Sequence, residues 1–202
     1  MALDESDIQS RVGPQLTRLA DTLGDLPGVA EAPSLCEGWT VKHVLAHMTM
    51  AARYDGPAFM AELEAAGYDF DQLSQTVARR DGLLPFERLL DDLRSDTMAT
   101  WAPPGGGATG ALSHAVIHGL DITSALGIDR TCDDDACCLV LDSLAADAGA
   151  LFGLDTSGQL LRATDLVWQQ GAGEPVDASA ADLILALAGR SRPWIELATA
   201  TR

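Results

Sequence analysis

The sequence predicts a mainly α-helical fold, a helical bundle that ends in a small β-hairpin and one further helix. Apolar residues recur with helical spacing in successive segments between residues 4 and 151, and glycine- or proline-rich stretches separate them. After Gly153, residues 160–168 and 174–176 mix β-forming with polar residues around Gly171-Ala172-Gly173, which predicts a hairpin. We therefore expect a bundle over residues 1–152 and a small α/β appendage, packed on it, over residues 153–202.

The predicted helices of the bundle follow from breakers and capping residues. The first covers about residues 4–23, with Pro14 expected to kink or delay it. The second begins near Thr40, breaks at Gly56-Pro57 and resumes over residues 59–66. Later helices are expected over about residues 69–80, 85–101, 108–126, 133–151 and 178–188, with glycines at 127 and 189 as stops.

Composition excludes several classes of function. The net charge of −17 repels phosphate backbones and anionic lipid, so neither nucleic acid nor a membrane is an expected partner. The N-terminus lacks the basic and apolar regions of a signal peptide, and no apolar run approaches the ~18–20 residues of a membrane span. The four cysteines form no CxxC pair, so free thiols are expected. We expect a cytoplasmic monomer or homodimer.

All four histidines fall in two pairs with a spacing of four residues, His43 with His47 and His114 with His118. Residues four apart share a helix face, so each pair can direct its imidazoles to one point beside the helix. Both faces are otherwise apolar, and a buried imidazole needs a hydrogen bond or a metal. A single core histidine is more often hydrogen-bonded, but two pairs with no other histidine favour a metal site.

Imidazole ligands suit a borderline divalent ion, zinc first, with nickel and cobalt as alternatives. Three histidines would leave an open, catalytic type of position, whereas four would close the site. The sequence contains no HExxH, so the usual zinc-protease pattern is absent.

Two stretches resemble motifs of the DinB-like proteins, in the branch related to mycothiol-dependent maleylpyruvate isomerase. Residues 35–48, LCEGWTVKHVLAHM, resemble the Cys-x-Gly-Trp-Thr-Val…Ala-His signature of that branch. Residues 114–127, HAVIHGLDITSALG, resemble its second metal motif, which is Glu or His, three residues, His, two residues, Asp, then Ala-x-Gly. Residues 161–176 and 181–190 are also similar. The resemblance implies a DinB-like four-helix bundle that holds a divalent metal.

The metal ligands that the resemblance implies are His47, His114 and His118. His43 stands where the family commonly has a polar residue, and we interpret it as supporting the site without contacting the metal, or as a surface residue. Asp121 matches the family's aspartate. It either orients His118 or another ligand from behind, or forms an ordinary salt bridge on the helix face.

The resemblance also implies mycothiol or a similar thiol as cosubstrate, together with an electrophilic small molecule. Arg79, Arg80 and Arg53 are candidates for binding the carboxylates of the thiol or the substrate, and the alternative, favoured for each, is an ordinary surface arginine. Cys36 precedes a helix N-terminus and is either a nucleophile or a packing residue beneath Trp39.

Two features depart from the family pattern. The second motif begins with histidine rather than glutamate, and the C-terminal domain of the fuller isomerases is expected to be reduced here to about fifty residues. We expect a mycothiol-dependent transferase or isomerase that activates a thiolate on the metal. The alternatives are a metal-containing bundle that binds a ligand or partner without catalysis, and a metal-dependent hydrolase.

Overall fold

The computed structural model describes residues 4–146, 154–191 and 198–199. They fall into two compact units, Met1–Thr131 and Cys132–Arg202. Helices dominate the first unit, and the second combines helices with a small sheet. The mainly α fold class predicted from the sequence is confirmed.

The first long helix, α1, covers Glu5–Gly24 and passes through Pro14 without a break. Asp4 caps its N-terminus, where the Asp4 side chain accepts a hydrogen bond from the Asp7 amide at 2.8 Å. The delayed start expected at Pro14 is therefore wrong, and the kink expected there stays a prediction. A short 3₁₀ helix follows at Val29–Glu31.

Two of the predicted helices are each divided into two shorter ones. The segment that begins at Thr40 forms α2, Val41–Met48, and α3, Met50–Arg53. Thr49 lies at their junction, and its hydroxyl donates to the Leu45 carbonyl at 2.7 Å, a side-chain bond that competes with the helical pattern. The segment predicted over residues 85–101 forms α6, Phe86–Leu93, and α7, Asp96–Thr100. Ser95 caps α7 by accepting a hydrogen bond from the Met98 amide.

The other helices of the first unit lie close to their predicted positions. They are α4, Gly56–Ala65, then α5, Phe70–Asp81, and α8, Gly107–Leu126. Gly127 ends α8 in the left-handed conformation at φ 65°, which confirms it as the stop residue.

The core of the first unit lies where these helices meet. Helix α1 packs on α8, α7 and α6, while α2 packs on α5, α6 and α8. Fully buried leucines and methionines fill the space between them, among them Leu19, Leu45, Met48, Leu89, Leu112 and Leu120. Among the described residues, no helix is both long enough and apolar enough to cross a membrane.

The second unit contains α9, Asp134–Ala146, and α10, Ala180–Leu187, which pack on each other. Its strands are β1, Leu154–Asp155, β2, Gln159–Ala163, β3, Gln169–Gly171, β4, Glu174–Ala178, and β5, Ala198–Thr199. Strand β2 lies between β3, to which it is antiparallel, and β4, to which it is parallel, and β1 pairs with β5.

The strand pairing differs from the predicted hairpin, in which residues 160–168 and 174–176 are the two arms. Residues 160–163 pair antiparallel with β3, whereas residues 174–176 run parallel to them. Gly171 and Gly173 carry φ values of 92° and 127°, and a Cβ on either would meet the backbone of Gln159 or Gly158. A Cβ on Gly173 would meet the Gly158 carbonyl oxygen at 2.0 Å, so only glycine fits there.

The domain boundary stays a prediction. It was expected between residues 152 and 153, which lie outside the described residues. The structure assigns α9 to the second unit, whereas the sequence predicts residues 133–151 as part of the bundle. The end of that helix, predicted at Leu151, also lies outside the described residues.

A buried ion network ties α3 to α5 and α6. The Arg53 guanidinium donates to Asp81 at 2.9 Å and to Asp92 at 3.0 Å. Both carboxylates are buried, with residue exposures of 7% and 6%. Tyr54 donates its hydroxyl proton to Asp81 at 2.7 Å, and Arg80 donates to Asp81 from the exposed side at 3.1 Å. Charges taken out of water need such partners.

Burial alone would raise the pKa of Asp81, but the hydrogen bonds from Tyr54, Arg53 and Arg80 outweigh it and lower this pKa below its ordinary value. The pKa of Tyr54 is raised, first by burial and then by its hydrogen bond to Asp81. The network therefore holds Asp81 as a carboxylate and Tyr54 as a phenol.

Gly82→Ala is expected to destabilise the protein by about 1–3 kcal/mol. The new Cβ would lie 2.6 Å from His43 Cδ2 and 2.7 Å from the Ala78 carbonyl oxygen, so the junction of α2 and α5 must shift. Gly56→Ala is the control, because its Cβ would enter open space. Urea unfolding measures both, and equal stabilities for the two variants would contradict the prediction.

Asp81→Asn is expected to lower the free energy of unfolding by roughly 1.5–3 kcal/mol at neutral pH, because it removes a charged acceptor from Arg53, Tyr54 and Arg80. The native pKa of Asp81 is lowered, so its contribution is complete above the unfolded pKa of about 3.9 and is lost as the pH falls through the native pKa.

The difference between wild type and Asp81→Asn should therefore be constant above about pH 5 and shrink below about pH 4. The control is Asp91→Asn, because the Asp91 side chain is 74% exposed. Its removal should change the stability by less than about 0.5 kcal/mol. A difference that grows on acidification would contradict the assignment.

Candidate functional site

His47 enters the interior of the first unit from the last turn of α2. Its residue exposure is 8%, and its ring lies 5.3 Å from the Trp39 ring, measured between centroids. The α2 face that carries it also presents Val44 and Met48, both fully buried, and this apolar pattern turns the imidazole inward.

His114 and His118 occupy adjacent turns of α8, and their ring centroids are 4.8 Å apart. The His47 ring lies 5.3 Å from that of His114 and 4.9 Å from that of His118. The Nε2 atoms of His47 and His114 are separated by 3.4 Å. One ring nitrogen from each of the three histidines lies within 4.8 Å of the other two. The structure thus brings together the three histidines predicted to act as ligands.

Asp121, one turn beyond His118, orients the His118 ring. Its Oδ2 atom lies 2.9 Å from His118 Nδ1, and the residue has no exposed surface. A carboxylate so close to Nδ1 favours the tautomer that carries its proton there, which leaves the Nε2 lone pair for another partner. The same contact is an i,i+3 pair on one helix, so the role of Asp121 behind a metal ligand stays a prediction.

Burial lowers the pKa of His114 well below its ordinary value, and the charges of His118 and His47 lower it further. His114 is therefore a neutral imidazole at physiological pH. A neutral imidazole keeps one nitrogen lone pair, and that lone pair is the form that a metal binds.

Three aromatic side chains border the histidines. Trp39 packs on His47 and donates its indole N–H to Gln75 of α5 at 2.8 Å. Phe70, at the start of α5, lies 6.4 Å from His47 and is 52% exposed. Trp101, which follows α7, lies 5.3 Å from His114. The partly exposed rings of Phe70 and Trp101 mark the side from which a ligand can approach.

Phe70 had no signal in the sequence that pointed to the site. Its contact with His47 depends on how the loop between α4 and α5 places the start of α5, and that loop contains Tyr68 at φ 63°. A non-glycine residue in the left-handed region is uncommon, and no pattern of hydrophobicity predicts it.

His43 turns to the start of its own helix. Its Nδ1 accepts a hydrogen bond from the Thr40 amide at 3.0 Å, as part of a capping box, and its ring packs against Gly82. These contacts give His43 a structural role as a capping residue of α2. The supporting role predicted for His43 near a metal stays a prediction.

The three candidate arginines have different surroundings. Arg53 directs its donors to Asp81, Asp92, Thr49 and the Ala46 carbonyl. The described contacts thus give it a structural role. Its predicted contact with substrate stays a prediction.

The other two candidate arginines lie in the last turn of α5, where both are exposed. Arg80 pairs with Glu62 at 3.0 Å and with Asp81 at 3.1 Å. For Arg79 and Arg80, contact with a substrate also stays a prediction.

Cys36 lies beside Asp121, and its packing beneath Trp39 stays a prediction. Its Sγ donates a hydrogen bond to Asp121 Oδ2 at 3.2 Å. Cys36, His118 and Asp121 consequently form a second group of potential ligand atoms that lie within 4.8 Å of one another. The thiol proton is engaged in this bond, which is the opposite of what a nucleophilic thiolate needs.

Comparison with known proteins agrees with this fold. A family model described as the mycothiol maleylpyruvate isomerase N-terminal domain matches residues 12–123. The crystal structure of the mycothiol-dependent maleylpyruvate isomerase superposes with a TM-score of 0.59 at 14% identity, and the match covers 96% of this chain and 93% of that chain. A mutant of that isomerase, with one histidine replaced by alanine, superposes with a TM-score of 0.56 at 12% identity and the same coverage. No curated protein matches at a significant level.

The match extends over 93% of the isomerase chain. The reduced C-terminal domain expected from the sequence stays a prediction. At such low identity the likeness shows the shared fold. The family model, in contrast, covers more than half of the 202 residues and includes His47, His114 and His118. The chain therefore belongs to the mycothiol maleylpyruvate isomerase N-terminal domain family.

Proposed function

We propose that this protein is a metal-dependent enzyme that uses mycothiol or a similar low-molecular-weight thiol. The thiol either isomerises a small electrophile or is transferred to it. The observation that carries the proposal is the convergence of His47, His114 and His118 on one point. Membership of the family supports the thiol and the isomerase type of reaction.

The residues fit a divalent ion. Three imidazole nitrogens from two helices converge on one point, and Asp121 hydrogen-bonds one of the three rings, as carboxylates commonly do behind metal-bound histidines. We propose zinc as the ion, with nickel and cobalt as alternatives that have the same preference for imidazole. Three protein ligands leave a position open for a further ligand.

A bound ion would supply acidity, because coordination deprotonates a thiol that is mostly protonated at neutral pH. The chain's own residues orient the reactants. His47, His114 and His118 set the position, Asp121 holds the His118 ring, and the apolar rings of Phe70 and Trp101 limit water on the approach side.

Two outcomes of the thiol chemistry suit such a site. Addition of a thiolate to a conjugated double bond, rotation and elimination produce cis–trans isomerisation and regenerate the thiol. Displacement of a leaving group transfers the thiol to the substrate. The proposed partners are thus the thiol and an electrophilic small molecule. We propose a cytoplasmic location for this reaction, in a monomer or homodimer.

The purified protein is expected to contain about one divalent ion per chain, measured by elemental analysis. His47→Ala should weaken metal binding by more than about 100-fold, because a lost ligand costs more than a lost supporting residue, for which 10–100-fold is typical. His43→Ala is the matched control and should keep its metal, since His43 caps α2. A metal-free wild type, or a His47→Ala variant with unchanged metal content, would contradict the site.

Calorimetric titration of the metal-loaded protein with mycothiol is expected to show binding that His47→Ala abolishes, because the thiol is proposed to bind at the metal. Turnover with the thiol is then tested on maleylpyruvate for isomerisation and on a chlorinated nitroaromatic for transfer. A protein that holds metal but binds no thiol and turns over neither compound is a binding module. Hydrolysis without added thiol would instead identify a hydrolase. Either result would overturn the proposed thiol chemistry.

A further inference from the structure

The Cys36 thiol shares one carboxylate oxygen with His118. Cys36 Sγ lies 3.2 Å from Asp121 Oδ2, and His118 Nδ1 lies 2.9 Å from the same atom. Asp121 has no exposed surface, and Cys36 is 85 residues away in the sequence. Two donors from different parts of the chain therefore converge on one buried acceptor.

The backbone around Cys36 is held in the position that this contact requires. The Leu35 amide donates to the Asp121 carbonyl at 2.9 Å, which joins the segment before α2 directly to α8. The Cys36 amide donates to Ser34 Oγ at 3.2 Å, and the Cys36 carbonyl accepts from the Trp39 amide at 3.0 Å. The thiol is thus presented to Asp121 by a turn that is itself hydrogen-bonded on both sides.

A carboxylate that accepts from two directions has less freedom to rotate than one with a single donor. The thiol of Cys36 restrains Asp121 Oδ2, and Asp121 in turn restrains the plane of the His118 ring. The direction of the His118 lone pair therefore depends on a residue that is separated from His118 by the carboxylate.

We infer that Cys36 is a positioning residue for the metal centre, acting through Asp121 on His118, and that it is neither a nucleophile nor a ligand. The inference rests on the proposed function, because it presumes that His118 binds a metal. The sequence left two roles open for this cysteine, a nucleophile or a packing residue, and the inference assigns it a third.

The test measures the affinity of the metal-stripped protein for cobalt by competition with a chelator. Cys36→Ala is expected to weaken cobalt binding by about tenfold, the low end of the range for residues that support a ligand. Cys36→Ser should restore most of the affinity, because its hydroxyl can donate to Asp121. Cys138→Ala, which removes a partly buried cysteine of α9, is the control for loss of a thiol and should match wild type.

A double-mutant cycle separates positioning from general stabilisation. If Cys36 acts through Asp121, Cys36→Ala should have no further effect on cobalt affinity in an Asp121→Ala background. Additive losses in the cycle, or a Cys36→Ala variant with the affinity of wild type, would overturn the inference. Cys36→Ser keeps a hydrogen-bond donor of similar size, so it provides a second test if Cys36→Ala folds poorly. If Cys36→Ser loses as much cobalt affinity as Cys36→Ala, the inference is overturned.

The absorption spectrum of the cobalt-loaded wild type tests direct ligation. A thiolate–cobalt charge-transfer band that disappears in Cys36→Ser would show that Cys36 is a ligand and would overturn the positioning role, while the metal site itself would stand. A wild type that binds no cobalt at all would instead refute the proposed function, and the inference with it. The absence of that band, together with the loss and rescue described above, is the result expected.

Discussion

The buried carboxylate of Asp121 is the constraint on which the arrangement of the site depends. A carboxylate without exposure to water requires hydrogen-bond donors, since an unpaired one would cost several kcal/mol. Its donors come from His118 on its own helix and from Cys36, while its main-chain oxygen receives the Leu35 amide. The segment that leads into α2 is thereby joined to α8.

The protein uses its buried charges for two separate purposes. At one place Arg53 pairs with Asp81 and Asp92, and Tyr54 donates a hydrogen bond to Asp81. This network joins three helices. At the other, Asp121 hydrogen-bonds the His118 imidazole and the Cys36 thiol. A guanidinium has only N–H donors, so an arginine paired with carboxylates offers no lone pair to a metal. An imidazole held by a carboxylate keeps a second nitrogen that can bind a ligand.

The environment of the histidines suits the chemistry proposed for them. Trp39 is fixed by its hydrogen bond to Gln75, and Phe70 and Trp101 are partly exposed beside His47 and His114. Apolar rings exclude water from a charged reaction centre and so strengthen electrostatic interactions there.

The fold class and the three converging histidines could be predicted from the sequence. Helical spacing puts His114 and His118 on one face, and the family motifs select His47 over His43. The sequence could not determine that Phe70 borders the site, that Arg53 pairs internally, or that β2 runs parallel to β4. It also left the contact of Cys36 open. Local patterns record which face of an element is apolar, but pairing between residues distant in sequence is selected only when the whole chain packs. Tertiary structure alone therefore decided which side chains support the histidines.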